Sequence, residues 1–167
     1  MRVILTGGGT GGHIFPALEI ARELQARWPD VTLLYVGTPD GLEAALVPRA
    51  GLDFLAIPVQ GLVGKAPRDL ARGLWVLGGA LYRAWRQLRA FRPDVVVGTG
   101  GYVSGPILLS AVLQGIPTLI QEQNVFPGVT NRLLSRWVGY VAIPHAAAAA
   151  HFPRGARLVV TGNPVRR

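Results

Sequence analysis

The sequence predicts an α/β domain of the doubly wound class, a mostly parallel sheet covered by helices on both faces. Three observations lead there. Short runs of branched apolar residues alternate along the chain with amphipathic stretches of helical period. A glycine-rich turn follows the first apolar run, and a second one follows the fourth. Half of the 167 residues are hydrophobic, enough for the core of one domain spanning residues 1–167.

Taken in order, the first strand, Val3–Thr6, opens onto Gly7-Gly8-Gly9-Thr10-Gly11-Gly12-His13 and a helix over Ile14–Arg27. Val31–Val36 reads as the second strand, closed by Gly37-Thr38-Pro39, and is followed by a helix over Gly41–Arg49 and a strand over Asp53–Pro58. In the long stretch Arg68–Phe91, Leu70, Leu74, Leu77, Leu81, Trp85 and Leu88 recur at three- and four-residue steps, which predicts a helix with this stripe against the core. Val95–Gly98 is the fourth strand. It leads through Gly98-Thr99-Gly100-Gly101-Tyr102-Val103-Ser104 into a helix over Gly105–Gln114, with Pro106 in its first turn. The remainder reads as strands Pro117–Ile120, Tyr140–Ile143 and Leu158–Thr161, and helices Thr130–Trp137 and His145–His151. The uncharged run from Val95 to Gln121 has the length of a membrane span. Glycine and proline break it at Gly98–Gly101, Gly105-Pro106 and Gly115-Ile116-Pro117, so it reads as strand, loop, helix and strand.

Composition narrows the chemistry. With no cysteine there is neither a disulfide framework nor a thiolate metal site, and three scattered histidines make no metal cluster. The N-terminus lacks the pattern of an export signal. The net charge of +8 comes almost wholly from arginine, Lys65 being the only lysine. It favours an anionic partner without choosing among nucleic acid, lipid headgroups and phosphorylated substrates.

In a doubly wound sheet ligands bind beyond the carboxyl ends of the strands, where both glycine loops fall. Glycines let the backbone approach a ligand closely, and a new helix presents free N–H groups with the positive end of its dipole. Phosphate or pyrophosphate is the expected guest, with Tyr102 and Ser104 as hydroxyl donors; the alternative is that the second loop's glycines only permit tight packing. The first loop is not a nucleoside-triphosphate loop, since His13-Ile14 stands where Lys and Ser or Thr are needed. Gly7, Gly9 and Gly12 satisfy the dinucleotide fingerprint, yet the second strand ends without the acidic residue that would hold a ribose. His13 at a helix N-terminus suits a general base or a donor to phosphate, the alternative being a histidine that only tethers the loop. After the fifth strand, Gln121-Glu122-Gln123-Asn124 crowd one strand end. Their amides suit sugar hydroxyls or a uracil edge, and Glu122 is placed to act as a base, to orient another group, or to cap the next turn. On the long helix Trp75, Val76 and Tyr82 lie off the apolar stripe among Arg72, Arg83, Arg86, Arg89 and Arg92, as an interfacial membrane patch would.

These motifs together resemble the N-terminal half of the MurG family of bacterial glycosyltransferases. The resemblance runs nearly end to end. It rests on Gly8–His13 with Phe15–Leu18, Leu46–Pro48, Ala84–Gln87, Pro93–Val96, Gly100–Pro106, Glu122–Asn124, the Gly128-x-Thr130-Asn131 pattern and the closing Gly162–Arg166. The resemblance implies two Rossmann-like domains facing each other across a cleft, with the donor-binding C-terminal domain absent from this chain, and no cofactor or metal. It implies inverting transfer of N-acetylglucosamine from UDP-N-acetylglucosamine to undecaprenyl-pyrophosphoryl-MurNAc-pentapeptide (lipid I, giving lipid II), hence a place in peptidoglycan synthesis and cell-wall biogenesis. The enzyme would sit peripherally on the cytoplasmic face of the inner membrane, on anionic lipid, with no nucleic-acid partner; this domain alone is expected to be inactive.

Carried over by position, His13 and Glu122 are the catalytic candidates, and Thr10, Gly11, Gly12, Asn124 and Arg166 resemble donor contacts. Gly9, Gly100, Gly101, Tyr102, Ser104 and Asn131 resemble the acceptor and diphosphate site. The family's membrane patch falls on Leu74, Trp75, Tyr82, Trp85, Arg72, Arg83, Arg86 and Arg89. Many relatives have His where this chain has Gln121, so no proton role falls there and weight shifts to His13 and Glu122. The alternative from the residues alone is a non-catalytic nucleotide- or dinucleotide-binding domain.

Overall fold

A computed structural model describes residues 1–59 and 67–165, with side chains left out at 67–72 and 74. Seven parallel strands form one sheet in the order β3-β2-β1-β4-β5-β6-β7. They are β1 (Arg2–Gly7), β2 (Thr32–Gly37), β3 (Asp53–Ala56), β4 (Val95–Gly100), β5 (Thr118–Gln121), β6 (Tyr140–Ile143) and β7 (Leu158–Val160). Between them run helices α1 (Gly11–Arg27), α2 (Leu42–Arg49), α3 (Pro67–Phe91), α4 (Ser104–Leu113) and α5 (Val129–Leu134), with a 3-10 helix at Ala146–His151 before β7.

Because successive strand side chains point to opposite faces, each apolar strand feeds two cores. Ile4, Val36, Val96, Ile120, Val141 and Ile143 pack with α3, α4 and α5 through Ala80, Ala84, Leu88, Ile107, Leu108, Ala111 and Leu134. Val3, Leu5, Leu33, Tyr35 and Val97 pack on the other face with Ala17 and Ala21 of α1 and Val47 of α2. Burial on both faces explains why these strands read as continuous apolar runs rather than alternating ones.

The chain leaves β1 toward β2 and leaves its other neighbour, β4, toward β5. This makes the β1/β4 pair the switch point of the sheet. Both glycine loops spring from it: past a register shift after Thr6, Gly7 pairs with Gly100, and the Gly8 N–H donates to the Gly100 carbonyl at 3.3 Å.

Three expectations are adjusted. The helix after the first loop begins at Gly11, not Ile14, so Gly11, Gly12 and His13 form its first turn with Thr10 before them. The helix after Gly128 ends at Leu134. On α3 the buried seam is Gly73, Ala80, Ala84 and Leu88, with Leu77, Leu81 and Trp85 half-buried beside it. Small residues let α3 lie close on α4, and the larger leucines flank the contact. The side chains of Leu70, Arg72 and Leu74, and all of Arg166, lie outside the described residues. Among the described residues no helix is long and apolar enough to cross a membrane.

Candidate functional site

The switch point brings β1, β4 and β5 together, and with them His13, the Gly100-Gly101 turn and the Gln121–Asn124 segment. The two glycine loops touch. A Cβ on Gly101, whose φ is +81°, would lie 2.2 Å from the Gly8 carbonyl oxygen. One on Gly100, at φ +112°, would lie 2.7 Å from His13 Nδ1 and 3.2 Å from Asn131 Nδ2. Glycine at these two positions is therefore required by close approach and by backbone conformation at once. Loop packing, one of the two readings of this turn, accounts for both.

His13 is partly buried in the first turn of α1, and its Nδ1 lies 3.0 Å from the Thr99 carbonyl and 3.1 Å from Gln123 Oε1. A carbonyl only accepts, so Nδ1 carries the proton. In the neutral ring Nε2 then holds a free lone pair. Among the described residues nothing hydrogen-bonds to Nε2.

Glu122 is fully buried, and five donors meet its two carboxylate oxygens. Oε1 accepts the Gln123 and Asn124 N–H groups, each at 2.9 Å, and Asn124 Nδ2 at 3.0 Å. Oε2 accepts the Gly128 N–H at 3.1 Å and Asn131 Nδ2 at 2.9 Å. Such a carboxylate ties the turn after β5 to the first turn of α5. Holding Asn131 by its amide nitrogen also leaves Asn131 Oδ1 buried without a partner among the described residues. An orphan acceptor calls for a hydroxyl or N–H donor, not for phosphate.

A second buried carboxylate, missed by the sequence reading, shapes the first loop. Glu43 accepts Thr38 Oγ1 at 2.6 Å, the Thr38 N–H at 3.0 Å and the Gly9 N–H at 3.3 Å. Burial alone would raise its pKa, but these bonds from Thr38 and Gly9, with its own N–H, outweigh burial and hold it below the ordinary carboxylate range. Burial, and after it the Glu43 charge, pushes the neighbouring Tyr35 hydroxyl well above its usual range, so it stays protonated and donates to the Gly7 carbonyl at 2.8 Å. Glu43 stands just past β2, where a dinucleotide fold needs an acid for the ribose, but it is buried and engaged. The only earlier hint was its place after Gly37-Thr38-Pro39, and its contact with Gly9 spans 34 residues.

The remaining candidates divide. Thr10 and Gly12 are exposed at the loop rim, Gly11 is half-buried, and Thr10 makes no side-chain cap. The Gly9 N–H points to Glu43 and is not free for a phosphate. Tyr102 is exposed and its ring edge faces Gly9, whereas Ser104 is buried and donates to the Gly101 carbonyl at 2.9 Å. Asn124 is exposed, with its amide on Glu122. Away from the loops, Trp75 is 85% and Tyr82 63% exposed on α3, beside exposed Arg83, Arg86 and Arg89. Arg86 lies over the Tyr82 ring and Arg89 over the half-buried Trp85 ring, each at 5.9 Å.

A family model described as the glycosyltransferase family 28 N-terminal domain matches residues 3–143. The UDP-N-acetylglucosamine–N-acetylmuramyl-(pentapeptide) pyrophosphoryl-undecaprenol N-acetylglucosamine transferase of Moorella thermoacetica is 58% identical over 166 residues, covering 99% of this chain and 45% of the relative. The protein of that name in Desulforudis audaxviator is 56% identical, covering 99% and 44%. The crystal structure of Acinetobacter baumannii MurG superposes with a TM-score of 0.82 at 32% identity, over 99% of this chain and 46% of that one. The chain thus spans a little under half the length of these relatives. By a match covering most of its length, it belongs to the glycosyltransferase family 28 N-terminal domain family.

Proposed function

We propose that this chain is the acceptor- and membrane-binding half of an inverting hexosyltransferase that moves N-acetylglucosamine from UDP-N-acetylglucosamine to undecaprenyl-pyrophosphoryl-MurNAc-pentapeptide. The names of its relatives and the resemblance of its motifs support the substrates. The observation that carries the mechanism is His13, whose Nδ1–H is held by the Thr99 carbonyl while, among the described residues, nothing hydrogen-bonds to Nε2.

The acceptor C4 hydroxyl gives its proton to His13 Nε2 as its oxygen attacks the anomeric carbon. The bond from that carbon to the UDP oxygen breaks, and UDP leaves with the electron pair. General-base help of this kind contributes about 10²–10⁴-fold. Glu122 has five donors on it and serves to organise the Asn124 and Asn131 turn rather than to take the proton. Asn131 Oδ1 accepts from an acceptor hydroxyl or N–H beside His13. Thr10, Gly11 and Gly12, with Asn124, face the donor, and the resemblance assigns Arg166, outside the described residues, to the donor as well. The acceptor diphosphate lies along the loop rim by Tyr102.

Trp75 and Tyr82 with Arg83, Arg86 and Arg89 rest on anionic lipid at the cytoplasmic face of the inner membrane, bringing a lipid-linked acceptor within reach. Thermal unfolding with separate ligands tests the reading, because a ligand selective for the folded state raises the midpoint. An undecaprenyl-pyrophosphate sugar analogue should raise it, and NAD should not. A shift with NAD alone would contradict the proposal.

A further inference from the structure

The side-chain amides around His13 form a chain whose orientation is fixed at every step by a backbone carbonyl. Asn163 Nδ2 donates to the Gln123 carbonyl at 3.1 Å, which leaves its Oδ1 to accept Gln121 Nε2 at 3.3 Å. Gln121 Nε2 also donates to the Glu122 carbonyl at 3.0 Å, so Gln121 Oε1 is the acceptor for Gln123 Nε2. Gln123 Nε2, with two hydrogens to divide among three acceptors, also lies 2.8 Å from the Thr99 carbonyl and 3.0 Å from the Gln121 carbonyl. Its Oε1 is thereby turned toward His13 Nδ1 at 3.1 Å. No amide in the chain can be flipped without setting two acceptors, or two donors, against each other.

We infer that Gln123 is a positioning residue that, locked by Gln121 and Asn163, holds His13 in its Nδ1–H tautomer and ties the imidazole to the Thr161–Val165 segment. The inference rests on the reading of His13 as the base and adds what keeps its Nε2 bare. A neutral amide orients the ring without placing a negative charge beside it, as a carboxylate would. The Thr99 carbonyl is shared: it accepts from both His13 Nδ1 and Gln123 Nε2. Gln123 thus touches the ring directly and also shares the ring's other acceptor. Asn163 is exposed, so the far end of the chain of amides can be removed without opening the core.

The test is the tautomer of His13 in this 167-residue chain, read from its ring ¹⁵N shifts at a pH where the imidazole is neutral. It needs no substrate, so it stands or falls apart from the transferase reading. The unaltered chain should show Nδ1–H as the main form. Gln123→Met, close to glutamine in length but with no acceptor for the ring, should cut the Nδ1–H to Nε2–H ratio about fivefold, the equivalent of one ordinary hydrogen bond. Asn163→Ala should move it in the same direction by less. A main Nε2–H form in the unaltered chain, or an unchanged ratio in Gln123→Met, would overturn the inference; an unchanged ratio in Asn163→Ala would remove the link to the Thr161–Val165 segment.

Discussion

At the scale of single residues, two side chains that look interchangeable in the sequence have opposite characters in the fold. Among the described residues nothing bonds to Nε2 of His13, whereas Glu122 has five donors on its two oxygens. Removing a buried carboxylate strands the donors that faced it. Glu122→Ala should therefore lower the unfolding free energy of this chain by about 3 kcal/mol or more in urea titrations. His13→Ala should lower it by about 1 kcal/mol at most, the worth of its Nδ1–H bond. Comparable losses from the two substitutions would contradict the division of roles. The sequence shows both residues because each stands next to a strand end with a glycine-rich or polar turn. It does not show which oxygen or nitrogen is free, because the donors to Glu122 come from a turn and a helix whose approach only the packed sheet defines. Gln121 and Gln123 were visible as a polar cluster, but their partners Thr99, His13 and Asn163 lie 24 to 110 residues away.

Among the elements, the two glycine loops separate by what surrounds them. Gly101→Ala drives a Cβ into the Gly8 carbonyl at positive φ and should destabilise the domain by about 2 kcal/mol or more. A Cβ on Gly12 meets nothing nearer than Thr10 Oγ1 at 3.6 Å, and alanine suits a helix's first turn. Gly12→Ala should leave stability unchanged or slightly raised, and any loss of ligand binding would then report on the loop's function. Glu43 adds a pH dependence. Its folded pKa lies below the ordinary 4.5, so its stabilisation is full above that value and is lost as pH falls through the folded one. Glu43→Gln should thus lower the urea midpoint at neutral pH and narrow its gap from the unaltered chain as pH falls below 4.5. Element order and type were legible because strand and helix differ in apolar period. The α3 seam was not, since glycine and alanine carry no apolar signal, and close contact with α4 selects small side chains.

For the whole molecule, the all-parallel sheet places both loops at its switch point and turns an arginine-flanked aromatic surface of α3 to solvent. Replacing Arg83, Arg86 and Arg89 together by Ala should weaken cosedimentation with phosphatidylserine-containing vesicles about a hundredfold, at about 1 kcal/mol per arginine. The vesicle binding that survives should fall again with Trp75→Ser. The architecture was legible from the sequence, and so was the family, in part because its motifs at Gly8–His13, Gly100–Pro106 and Glu122–Asn124 fall at the strand ends that build the switch point. The central claim is that this fold supplies the acceptor side and the base of a sugar transfer. Its most direct test is N-acetylglucosamine transfer to a lipid I analogue by this chain joined to the C-terminal half of the Moorella thermoacetica relative. The account predicts turnover by the fusion and a loss of about a hundredfold or more with His13→Ala; a folded fusion that binds UDP-N-acetylglucosamine yet transfers equally well with His13→Ala, or not at all without it, would contradict it.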